Sequence, residues 1–152
     1  MKKWLLIFVA ILGFSSLAGA QRFSIGGGIS GSAGSDIVSS LTFSVNLTIQ
    51  DLARIGPIGV DGRVELEGAL FGSSLSVGVG AAALATFQVT TFTLYGGPSV
   101  YLPITPSGAL QIGAIAGVRY QIALGLSAYG EVKLRFITPL YWRLGFGVSY
   151  SF

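Results

Sequence analysis

The residues that decide the fold are the last twelve: Tyr141-Trp142-Arg143-Leu144-Gly145-Phe146-Gly147-Val148-Ser149-Tyr150-Ser151-Phe152. Leu144, Phe146, Val148, Tyr150 and Phe152 are apolar, and Gly145, Gly147, Ser149 and Ser151 separate them. That is period-two alternation, the pattern of a strand with two unlike faces. It runs to a bare aromatic residue, whereas the ends of a water-soluble domain tend to fray. A strand whose outer face is solvated by lipid does not have to fray.

The start of the chain points to the same environment. Met1-Lys2-Lys3 is basic, Trp4 to Phe14 is an apolar run, and Ala18-Gly19-Ala20 has the A-x-A form of a cleavage site. This is the pattern of a secretory signal peptide, expected over residues 1–20 with Ala18 and Ala20 at the cut. The run is too short for a spanning helix, which needs about 20 residues, so a membrane anchor is the weaker reading. The expected mature chain, 21–152, is one domain.

Composition narrows the class further. Hydrophobic residues make up 51% of the chain and charged ones only 10%, against about 25% in soluble domains. With no Cys and no His, thiolate chemistry, imidazole bases and disulfides are all ruled out. The net charge of +3 includes Lys2 and Lys3, so without them it is +1, and nothing suggests a nucleic-acid partner. No charge occurs between Gly68 and Val118. Inside that stretch Leu75, Val77, Val79 and Ala81 alternate with Ser76, Gly78 and Gly80 rather than running together. No window offers the eighteen consecutive apolar residues of a helix, and no Lys/Arg cluster sets a helical topology.

Alternation from Gln21 onward yields eight expected strands, near 22–31, 40–50, 58–71, 74–87, 91–102, 109–123, 127–137 and 141–152. Turn residues separate them at 31–36, around Pro57, at 72–74, 103–108, 124–127 and 138–139. The break near Gln88 to Thr91 is marked only by a switch of apolar parity. Spanning strands take about 9–11 residues and bacterial barrels use an even number. The expected fold is therefore all-β, a transmembrane antiparallel up-and-down β-barrel of eight strands.

The charges test this. An Arg or Lys on the lipid face near the midplane costs about 2–4 kcal/mol, so charges belong on the opposite parity. Val60, Val64, Leu66 and Leu70 alternate with Asp61, Arg63, Glu65 and Glu67. Ile112, Ala114, Ala116 and Val118 share one parity, and Arg119 takes the other. Val132, Leu134 and Phe136 alternate with Glu131, Lys133 and Arg135, and Arg143 follows the same rule on the last strand. A lumen network of Asp61, Arg63, Glu65, Glu67, Arg119, Glu131, Lys133, Arg135 and Arg143 is the result. Glu65 and Glu67 are expected to reach Lys133 and Arg135 across a lumen that side chains just fill. Such near-balanced charge either closes the lumen or lines a narrow conduit. A soluble lipocalin-like barrel would need the inverse parity. Aromatics are expected in two girdles, Phe23, Tyr120, Tyr150 and Phe152 at one rim, and Phe71, Tyr101, Phe136, Tyr141 and Trp142 at the other.

Three weaker motifs have plain readings. Gly26-Gly27-Gly28-Ile29-Ser30-Gly31 matches G-x-G-x-x-G, but no helix or βαβ unit follows, so the glycines are expected to relieve crowding in a barrel. Asp61, Glu65 and Glu67 offer oxygens to a hard cation, but Arg63 shares their face, so no metal or other cofactor is expected. Asn46-Leu47-Thr48 is a glycosylation sequon by letter, with its Asn expected in the lumen.

With the signal peptide, the eight alternating strands and the terminal Gly147-Val148-Ser149-Tyr150-Ser151-Phe152, the chain resembles the small outer-membrane barrels of the OmpA/OmpX type. The resemblance implies a bacterial outer-membrane location, membrane lipid around the barrel, and handling by periplasmic chaperones and the barrel-assembly machinery. It implies a C-terminal assembly signal, here Phe146, Val148, Tyr150 and Phe152. A monomer is expected. Enzymes of that family resemble one another in using a His, which this chain lacks, so no catalytic site is expected. Its outward connections are short for the family, and no peptidoglycan-binding domain is expected after the barrel. The expected role is a structural, envelope-integrity barrel; a passive small-solute pore and a surface binding module are the alternatives.

Overall fold

The computed structural model describes residues 22–32, 41–71, 73–138 and 140–152. The signal-peptide residues, with Ala18 and Ala20, lie outside the described residues, as do the turn that carries Asp36 and the side chain of Phe71.

Eight strands form in chain order: β1 (Arg22–Ser32), β2 (Leu41–Ile55), β3 (Ile58–Phe71), β4 (Ser74–Val89), β5 (Phe92–Thr105), β6 (Gln111–Gln121), β7 (Leu126–Arg135) and β8 (Tyr141–Ser151). Each pairs antiparallel with its sequence neighbour, and β1 pairs with β8 from Ser24↔Ser151 to Ser32↔Arg143. The sheet is a closed barrel, so no edge is left with unpaired backbone groups. At the seam Phe23 N donates to Phe152 O at 3.2 Å and Phe152 N to Phe23 O at 2.9 Å. The two rings stack 6.4 Å apart.

Alternation decides which side chain goes where. The outward set is apolar and stays open to the surroundings: Ile29 is 55% exposed, Val45 55%, Leu66 51%, Ile112 61% and Phe146 59%. A continuous apolar belt of this kind is an aggregation hazard in water and a solvated surface in lipid. The inward set holds the charges, with Asp61, Arg63, Glu67 and Glu131 each 3% exposed. This inverts the order of a soluble barrel and makes the fold a transmembrane one.

Strand bounds differ from the sequence reading where local geometry absorbs residues. β2 runs on to Ile55 through a bulge: pairing jumps from Ile49↔Gly62 to Ala53↔Val60, and Asp51 adopts φ 55°. The backbone N–H of Asp51 donates to Asp61 Oδ1 at 3.0 Å, so the bulge is capped from β3. The adjoining hairpin turns on Gly56 and Pro57, with Gly56 at φ 60°, as a two-residue loop requires. The β4–β5 hairpin is equally tight but places Thr90 at φ 54°.

Glycine in the lumen follows from aromatic packing. A Cβ on Gly28 would lie 2.7 Å from the Tyr129 hydroxyl, and one on Gly117 would lie 2.6 Å from Tyr95 Cζ. Tyr95 of β5 thus lies across bare backbone of its neighbour β6, and Tyr129 of β7 reaches across Gly147 of β8 to Gly28 of β1. The G-x-G-x-x-G stretch lies wholly inside β1, where it serves this packing.

Candidate functional site

The lumen is crossed by a plug built from four strands. β3 contributes Arg63, Glu65 and Glu67, all on the inward parity, and β7 contributes Glu131, Lys133 and Arg135. Arg143 enters from β8, paired with Lys133 in the ladder, and Tyr95 from β5. Successive inward positions lie two residues apart, so the charges stack as rungs along the barrel axis.

Two linked clusters result. In the first, Arg63 Nη1 donates to Glu131 Oε2 at 2.7 Å and the Tyr95 hydroxyl donates to the same oxygen at 2.8 Å. The other oxygen of Glu131 lies 3.3 Å from Lys133 Nζ, which joins the clusters. In the second, Lys133 donates to Glu67 Oε1 at 3.1 Å and also to Glu65. Arg135 donates to Glu67, and Arg143 to both of its oxygens. Glu67 is therefore the hub, with three cations on one carboxylate.

Three carboxylates face four cations here, and tyrosine rings take up the surplus. Arg63 lies 5.1 Å over Tyr95 and 6.0 Å over Tyr129. Arg135 lies 3.5 Å over Tyr101 and 5.7 Å over Tyr141. The negative ring face stabilises a guanidinium, more so where water is excluded. Asn46 Nδ2 donates to the Tyr129 hydroxyl at 3.2 Å and so fixes that ring. The opposite wall is apolar, with Leu84, Ile115 and Ala82 filling the space from β4 and β6. Inside the plug the remaining cavity is about 30 Å³, room for about one or two waters.

Of the nine charges that the sequence assigns to the lumen, seven gather in this plug. Asp61 and Arg119 face inward but stand apart, nearer the rim where β1 begins and β8 ends. Asp61 holds the bulge, and Arg119 lies 5.6 Å from the Tyr95 ring. Tyr101 and Tyr141, expected in a girdle, point into the lumen instead, because they share the parity of the charges. Sequence reasoning missed Tyr95 and Tyr129 altogether, although both occupy the non-apolar parity of their strands. Among the described residues no group of three or more metal-ligating side chains converges, since Glu65 and Glu67 share Lys133.

The fold has solved counterparts. The chain is similar to the Yersinia pestis outer membrane protein Ail, at 12% identity and TM-score 0.60, over 88% of this chain and 100% of that one. It is similar to the N-terminal β-barrel domain of Pseudomonas aeruginosa OprF, at 12% identity and TM-score 0.58, covering 89% and 100%. The outer membrane enzyme PagL matches at 12% identity and TM-score 0.56, covering 84% and 97%. No family model matches the sequence, nor does any curated protein. The fold of this chain is that of the small eight-stranded outer-membrane barrels.

Proposed function

We propose that the protein is a non-enzymatic integral barrel of the bacterial outer membrane, structural in role, whose lumen is closed by the charge plug. One observation carries this reading: three cations from β7 and β8 converge on Glu67 of β3, tying opposite walls together inside a nearly filled lumen. An ion crossing it would need a free charged or polar surface, and here the charged surface is spent on internal pairs. The fold is shared by an enzyme, PagL, so fold alone assigns no chemistry. The non-catalytic reading rests on this chain's own residues, which include neither His nor Cys. Ser and Thr hydroxyls without an adjacent base are poor nucleophiles. Tyr150 and Phe152, at the closing seam, are the residues through which the assembly machinery would read the chain.

A passive pore is the second reading. Vestibules of about 410 Å³ and 200 Å³ open on the two sides of the plug, so a conduit would require only that the plug rearrange. A surface binding module has less to build on, because the described connections at the rim away from the chain ends are short, at 106–110 and 136–140. Single-channel recording in a planar bilayer decides between the first two, using barrel whose gel mobility shifts on boiling. A silent bilayer is the expected result. Discrete, reproducible conductance steps would replace the structural reading with the pore.

A further inference from the structure

The vestibule at the rim of the chain ends differs in charge from the plug below it. Arg22 and Arg119 both line this space of about 410 Å³, with Gln50, Gln88, Thr93 and Gln121 around them. Among the described residues neither guanidinium has a carboxylate within ion-pair distance, unlike Arg63, Arg135 and Arg143. None of the nearby acids pairs with them, although Asp61 shares a space with Arg119 and attracts it at longer range. Asp61 accepts the bulge N–H of Asp51, and Asp51 pairs with Arg54 at 3.3 Å. Glu131, at the upper end of the plug, is shared by Arg63, Tyr95 and Lys133. Arg119 and Arg63 in turn share the one Tyr95 ring, at 5.6 and 5.1 Å. With two guanidiniums against the one Asp61 carboxylate, the side chains make the floor of the vestibule net positive and half-enclosed, a setting in which a guanidinium attracts an anion more strongly than at an open surface.

We propose that this vestibule binds a phosphate-type oxyanion, with Arg119 and Arg22 as its charged ligands. Donors reach it from β1, β2, β4, β5 and β6. So dispersed a set matches a tetrahedral anion with several acceptor oxygens better than a two-oxygen carboxylate. Each guanidinium presents a fork of N–H donors suited to phosphate, and the amide and hydroxyl side chains supply the rest. Such a group could come from a free phosphate or from a lipid headgroup at that rim.

The test is arginine side-chain NMR on the whole barrel in octyl glucoside, titrated with sodium phosphate at ionic strength held constant with chloride. Arg119 and Arg22 Nε–H resonances should shift saturably, while Arg143 in the plug stays in place. Arg119→Gln should weaken the affinity about tenfold or more, and Arg22→Gln serves as the second variant if the first folds poorly. In phosphatidylglycerol nanodiscs, resonances already displaced and deaf to phosphate would assign the site to a headgroup. Resonances that still titrate would assign it to free phosphate. The proposal falls if no saturable shift occurs in either medium, if chloride alone reproduces it, or if both variants titrate like the unaltered protein.

Discussion

Glu67 carries more of the plug than any other side chain. Removing its charge leaves Lys133 with Glu65 and Glu131, and leaves Arg135 and Arg143 with no carboxylate within ion-pair distance among the described residues. A buried ion group broken on one side costs about 3–5 kcal/mol, because the partners stay buried without compensation. Glu67→Gln should therefore lower the unfolding free energy by about that amount, read as the urea midpoint in phospholipid vesicles. Glu65→Gln should cost markedly less, since Lys133 keeps Glu67 at 3.1 Å and Glu131 at 3.3 Å. Equal costs would mean that Glu67 is not the hub, and an unchanged midpoint and conductance in the double variant would remove the network as a stabilising device. The inward position of every plug charge was legible, because parity alone places a charge on one face of a strand. Which charge would be the hub was not. That depends on side-chain reach across a lumen whose width no local pattern encodes. The lumen tyrosines escaped for a different reason: an aromatic residue suits both a girdle and a glycine-lined wall, and only parity separates the two at Tyr101 and Tyr141.

At the scale of elements, the places where the sequence misled are those where backbone geometry is paid for elsewhere. Strands β3, β6 and β8 start or end within about two residues of their expected bounds, because strict alternation and flanking Gly or Pro mark them. β2 was expected to end at residue 50, because the bulge sets three residues, 50–52, opposite the single Asp61 and puts Asp51 where the pattern calls for an outward apolar residue, which interrupts the alternation on which the reading relies. The β4–β5 hairpin was the faintest break for a related reason. Its turn has Thr90-Thr91 where a two-residue loop prefers Asn-Gly or Gly-Gly. Thr90 takes φ 54° and its hydroxyl turns back to Val89 O at 2.7 Å. A β-branched residue in the left-handed region is strained by about 1–2 kcal/mol, and Asn tolerates it better. Thr90→Asn should accordingly stabilise the barrel by about 1 kcal/mol in thermal unfolding followed by gel shift. A loss of stability would show that the Thr90 hydroxyl contact outweighs the strain.

For the molecule as a whole, stability rests on a division of labour between lipid, lumen and seam. The interior is too narrow and too charged to act as an oily core: among the described residues only Leu84, Tyr95, Ile115 and Tyr129 are buried hydrophobic ones. Burial of apolar surface thus takes place mainly against lipid, and the closed ladder satisfies the backbone that lipid cannot. This makes a depth-dependent prediction. Leu66 lies outward at the middle of β3, opposite Val45 and Val79, while Leu70 lies outward near its rim end, opposite Leu41 and Leu75. Leu66→Arg should cost about 2–4 kcal/mol of unfolding free energy in bilayers, and Leu70→Arg about 0–1 kcal/mol. Both substitutions fall on the same strand and parity and remove the same leucine, so side-chain packing and strand propensity largely cancel between them. What remains is depth in the hydrocarbon. Equal costs would place the two positions at the same depth, and the belt drawn from the alternation would then have to be tilted or shifted along the barrel axis.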